Sequence, residues 1–168
     1  MVGLPNTVSP MTVLLPGEPV SQAHANAAAH LSTIAAAHAL VRVSETLSDI
    51  TPELDCTVDM VSLIGDLSWN AGDGSAALRD AVEQYLQEMP LSVEQFAKKS
   101  HWSEDWQLTH YEVLLTTGGP ACRFWYDPSD GEVRMEHQDW GTPWRELPLD
   151  TDEVYALQWF AAILGLEA

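Results

Sequence analysis

Basic side chains are scarce in this chain: seven Lys and Arg stand against 25 Asp and Glu, for a formal net charge of −18 at pH 7. A body so short of cations repels DNA, RNA and anionic membranes and attracts basic proteins, over a range set by a Debye length of about 8 Å at physiological salt. Direct nucleic-acid binding is therefore disfavoured. Cysteine is scarce too. Cys56 and Cys122 are too few for the disulfide framework of a small secreted protein, and neither belongs to a CxxC or a Cys/His zinc spacing, so both read as buried free thiols. Long apolar runs are missing: Pro5, Pro10, Pro16 and Pro19 interrupt the stretch around Met11 and Leu15, and no run approaches the roughly 20 apolar residues of a membrane span. The expectation is a cytoplasmic protein with no membrane contact.

Apolar residues are plentiful, at 46% of the chain, which excludes an acidic disordered tail and requires a packed core. A length of 168 residues fits one domain. The charge is uneven. Residues 1–44 hold only Glu18 and Arg42, so the whole −18 sits on residues 45–168.

Residues 1–20 are punctuated by proline and read as an extended arm; residues 21–168 read as a single α+β domain, helical over 21–100 and sheet plus helix over 108–166. The alanine-rich stretch 22–47 carries Ala27, Ile34 and Val41 at heptad spacing, which predicts a long helix whose small side chains permit close packing, within the chain or in a homodimer. Thr51-Pro52 starts a predicted helix to about Trp69, on which Asp55, Asp59 and Asp66 share one stripe opposite Leu54, Met60, Leu63 and Leu67. Ser75 is expected to cap a helix over 76–89 that carries Asp80 and Glu83 outward, and Ser92-Val93-Glu94-Gln95 matches a capping box for a short helix to Lys99. Period-2 alternation then begins. Turns at Gly118-Gly119-Pro120 and at Asp127 to Gly131 predict a three-stranded antiparallel meander, and Thr151 is expected to cap a buried final helix over 152–164.

Few arrangements carry recognisable chemistry. Cys122, His137 and Asp139 supply the residue types of a thiol-dependent hydrolase, although no nucleophile motif surrounds them and an acidic domain tends to raise a thiol's pKa. The six histidines give no HExxH and no ligand triplet, and Gly118-Gly119 lacks the GK[ST] ending of a phosphate loop, so neither a metal nor any cofactor is expected. Seven tryptophans are more informative. Trp102-Ser103-Glu104-Asp105-Trp106 and Asp139-Trp140-Gly141-Thr142-Pro143-Trp144 interleave aromatics with carboxylates, a composition suited either to core packing or to anchors that grip arginine.

The motifs Thr116-Thr117-Gly118-Gly119-Pro120-Ala121-Cys122 and Gln138-Asp139-Trp140-Gly141-Thr142-Pro143-Trp144 resemble a family of small acidic proteins of phages, plasmids and other mobile elements, over about residues 110–165. The resemblance implies no reaction. It does imply a setting in which host restriction and CRISPR complexes hold nucleic acid in basic channels. The expectation is a non-enzymatic inhibitor, similar in charge logic to DNA-mimic anti-restriction and anti-CRISPR proteins. Asp55, Asp59, Asp66, Asp80 and Glu83 would stand for phosphates, and Trp102, Glu104, Asp105, Trp106, Asp139, Trp140 and Trp144 would add specific contacts to a basic protein or ribonucleoprotein. The alternatives are an immunity or antitoxin-like protein that neutralises a basic toxin, and a thiol enzyme using Cys122.

Overall fold

The computed structural model describes residues 20–50, 57–58, 69–70, 74–99 and 105–166. A long helix α1 (Gln22–Ile50) is followed by a two-residue pair, β1 (Thr57–Val58) with β2 (Trp69–Asn70), and by helix α2 (Gly74–Glu88). Five antiparallel strands come next: β3 (Ser92–Lys99), β4 (Trp106–Thr116), β5 (Ala121–Asp127), β6 (Glu132–Gln138) and β7 (Arg145–Leu147). They lie in chain order across one sheet, and α3 (Thr151–Ile163) closes the fold. The architecture is α+β, as expected, but the sheet has five strands rather than three.

Alternation decides the layers. Val113, Leu115, Cys122, Phe124, Val133, Met135 and His137 face one side and are buried, because successive strand residues point to opposite faces. Helix α1 lies on that face across β5, β6 and β7, with α3 packed beside it and α2 behind them. Ala27, Leu31, Ile34, Ala37 and Val41 of α1 join Leu78, Val82 and Leu86 of α2 and Leu157 and Phe160 of α3 in one core. The Phe124 and Phe160 rings meet 5.7 Å apart, linking sheet to helix. The alanine-rich face invoked for a homodimer is thus covered by the chain's own sheet and helices.

Four local expectations require correction. The helix expected over 52–69 is not continuous, since Thr57–Val58 pairs as a strand with Trp69–Asn70. That removes the single helical stripe; Asp55, Asp59 and Asp66 themselves lie outside the described residues. The capping box at Ser92 starts no helix, because 92–99 is the border strand β3, paired with β4 from Ser92 opposite Leu114 to Lys99 opposite Trp106. A four-residue local motif loses there to eight residues of ladder and to Phe96 stacking on His110, a cross-strand contact of the kind that stabilises sheets. Ser75 lies inside α2, which begins at Gly74. The cap of α3 is Asp150 rather than Thr151: its carboxylate accepts from the Glu153 N–H at 2.9 Å, and Glu153 accepts from the Asp150 N–H at 2.8 Å.

The two expected turns form. Gly118 and Gly131 take φ of +93° and +76°, a region in which a Cβ is strained, and Asp127 accepts from Ser129 while Asp130 accepts from the Glu132 N–H.

Candidate functional site

The face of the sheet turned away from the helices carries a row of side chains, one from each of four strands. Phe96 on β3 stacks on His110 of β4, with centroids 4.6 Å apart and planes 4° from parallel. His110 stacks in turn on Trp125 of β5 at 5.1 Å, and the Arg134 guanidinium of β6 sits 4.5 Å over the Trp125 ring. Each such contact is worth about 0.5–1.5 kcal/mol beyond simple burial. Sequence reading missed the row because its members are 9 to 15 residues apart and meet only through strand register. The alternation legible in the sequence begins at Tyr111 and leaves His110 out, and the extended stretch containing Trp125 carries no sign of its cross-strand neighbour.

Next to this row Arg123 is held on three sides. Its Nε donates to Glu136 at 2.5 Å, its Nη1 donates to Glu112 at 2.6 Å, and it lies 4.3 Å over the Trp144 ring. Arg123 is opposite Glu136 in the β5–β6 ladder and opposite Leu114 in the β4–β5 ladder, so neighbouring strands supply both carboxylates. Trp144 is therefore a half-buried platform for an internal cation rather than an exposed anchor. Trp140 is different. It is 81% exposed in the turn after β6, with its indole Nε1 lying 3.3 Å from where a Cβ on Gly119 would stand. The glycine of the β4–β5 turn thus makes room for the indole.

The remaining expected site residues are dispersed. Trp106 is 68% exposed at the start of β4, ten residues and roughly 33 Å of strand from the turn against which Trp140 sits. Asp105 precedes it and is exposed. Asp80 is exposed on α2, and Glu83 accepts from Arg79, whose Nη1 also reaches Glu45 of α1 at 2.7 Å. The Asp139 carboxylate accepts from the Ala23 N–H at 3.4 Å, near the start of α1. Trp102 and Glu104 lie outside the described residues. Asp80, Trp106 and Trp140 therefore occupy separate parts of the surface.

Cys122 lies fully buried, its Sγ 4.0 Å from the Met135 sulfur, and burial pushes its pKa up to about 12. His137 is opposite Cys122 in the ladder, but its Nε2 meets His24 Nδ1 at 3.4 Å, and Asp139 is engaged with α1. A thiol held neutral in the core contributes little nucleophilic thiolate. A shallow groove of about 540 Å³ opens near His24, between α1 and the chain leading into α3; Leu31 and Ser32 line one wall, Leu147 and Asp152 the other. Among the described residues no three His, Cys, Asp or Glu side chains are grouped to hold a metal ion, and no helix is long and apolar enough to cross a membrane.

Comparison with protein-family models, curated proteins and solved structures finds no match to this chain.

Proposed function

We propose that the protein is a non-enzymatic acidic inhibitor that occupies the basic nucleic-acid surface of a host defence complex, of the restriction or CRISPR kind. The observation that carries this reading is a net charge of −18 on a chain with one connected hydrophobic core. A rigid acidic scaffold presents its field without the ordering entropy that a disordered acidic tail would lose on binding. Exposed Trp106 and Trp140 add aromatic faces to which an arginine of the partner can bind. The motif resemblance to mobile-element proteins supports the choice of a defence complex over other basic partners.

Because Asp80, Trp106 and Trp140 are dispersed, the contact in this reading is a broad one, with the summed field orienting the partner and Trp140 fixing the register. Competition measures it. Labelled duplex DNA is bound to purified restriction and CRISPR effector complexes, and the protein is titrated in while anisotropy is followed. Displacement from at least one complex at near-stoichiometric protein is expected at low salt, and the direct affinity of the protein for that complex, followed without DNA, is expected to weaken as salt rises because the attraction of its carboxylates for basic groups is screened. Trp140→Ala is expected to weaken displacement by about tenfold or more, as loss of an aromatic anchor does. Retention of DNA by every complex at low salt would count against the proposal.

A further inference from the structure

Strand β3 forms one border of the sheet, and among the described residues nothing pairs with its outer side. An open edge of eight residues offers backbone donors and acceptors to any extended segment. Both lysines of the chain, Lys98 and Lys99, stand on this strand together with Glu94. Among the described residues none of the three forms an ion pair, although arginines elsewhere engage glutamates. Leu91 and Val93 beside them are 59% and 47% exposed.

Symmetry restricts what can complete this edge. Two copies of one strand pair antiparallel about a two-fold axis perpendicular to the sheet, which keeps like faces on the same side. Opposed residues must then belong to the same face, so the axis passes through a residue rather than between two. An axis at Gln95 sets Glu94 against Phe96 and Lys98 against Ser92. An axis at Ala97 sets Lys98 against Phe96 and Lys99 against Gln95. With the axis at Phe96, Glu94 of each copy faces Lys98 of the other, and Val93 lies along the alkyl stem of Lys99.

The backbone agrees with that register. Thr109 Oγ1 donates to the Phe96 carbonyl at 3.1 Å, so this carbonyl faces β4. The register slips at this point on the β4 side, where Phe96 is opposite His110 and Ala97 opposite Leu108, so that β3 itself has no extra residue and Gln95 and Ala97 turn their backbone groups to the outer edge. About Phe96, Gln95 falls opposite Ala97 of the second copy, and the outward groups meet. Glu94 and Lys98 then form a pair without backbone hydrogen bonds, in which Cα atoms come within about 4.5 Å and side chains are closest. We infer that this edge is a self-association surface, on which a second copy of the chain pairs β3 to β3 about Phe96 and continues the sheet across both molecules. The inference is independent of the inhibitory role.

Sedimentation equilibrium of the full chain, with Glu94→Lys, Lys98→Glu and the double exchange, tests it. Each single reversal sets like charges face to face twice across the axis and is expected to weaken self-association by about tenfold or more. The double exchange restores opposite charges and is expected to recover wild-type affinity within about threefold. Net charge makes a different prediction, opposite for one variant only: Glu94→Lys moves it from −18 to −16 and Lys98→Glu from −18 to −20. Bulk repulsion alone would therefore shift the two single variants in opposite directions. That result, a double exchange no better than the singles, or a wild-type chain that stays monomeric at its highest soluble concentration would overturn the inference. Unchanged circular dichroism establishes that each variant is folded.

Discussion

His137 is a polar ring on the buried face of β6, and its surroundings decide its protonation. Burial holds its pKa below the usual histidine value; His24 and Arg145 act in the same direction, and Asp139 opposes them. Burial also lowers His30 and His38. An unfolded histidine titrates near 6.5, so between that pH and the depressed folded value the unfolded chain binds more protons than the native one. The stability linked to the neutral ring is complete above about pH 6.5 and is lost as pH falls through that window. The urea midpoint of the wild-type protein is expected to fall between about pH 7 and pH 5.5, and His137→Gln to show a shallower fall. Comparing the two slopes separates the ring from the relief of acidic repulsion on approach to the pI of 4.3. Parallel slopes would mean that His137 is not the group responsible.

At the scale of elements, the start of α3 illustrates how local chemistry is read and misread. Asp150 and Thr151 are adjacent and both are good caps, but only Asp150 has glutamate three residues on, and the reciprocal Asp150–Glu153 bonds form. Asp150→Ala is expected to cost about 1 kcal/mol in chemical denaturation, and Thr151→Ala a few tenths. Equal losses would show that the cap assignment is immaterial. Where a signal is periodic over many residues, the sequence was legible: the apolar spacing from Ala27 to Val41 became a core face, and so did the alternation of Tyr111, Val113 and Leu115 in β4. Where it was short, tertiary pairing prevailed, as in the capping box at Ser92 that became β3 and in the strand at Thr57–Val58 that interrupts an expected helix. The candidate site was legible only as composition. Trp140 and Trp144 stand four residues apart in similar surroundings, yet one is exposed and the other lies beneath Arg123. That difference is set by Glu112 and Glu136 on neighbouring strands, which hold Arg123 in place, and no spacing within the loop encodes it.

For the whole molecule the question is how an acidic body remains folded. Among the described residues three arginines neutralise part of the charge locally: Arg79 with Glu45 and Glu83, Arg123 with Glu112 and Glu136, and Arg134 with Glu132. Seven cations cannot offset 25 carboxylates, so mutual repulsion opposes the compact state while the apolar core holds it together. Salt acts on that repulsion through screening, with a Debye length of about 30 Å at 0.01 M and about 3 Å at 1 M. The thermal midpoint is expected to rise across this range by about 2–4 °C for each kcal/mol of repulsion removed. Affinity for a basic partner is expected to fall over the same range, because attraction across an interface is screened by the same ions. Calorimetry and competition binding in matched buffers measure the two trends. A midpoint that falls with salt would mean that the arginine clusters outweigh repulsion, leaving the surface without the unopposed negative field that the proposed inhibition requires.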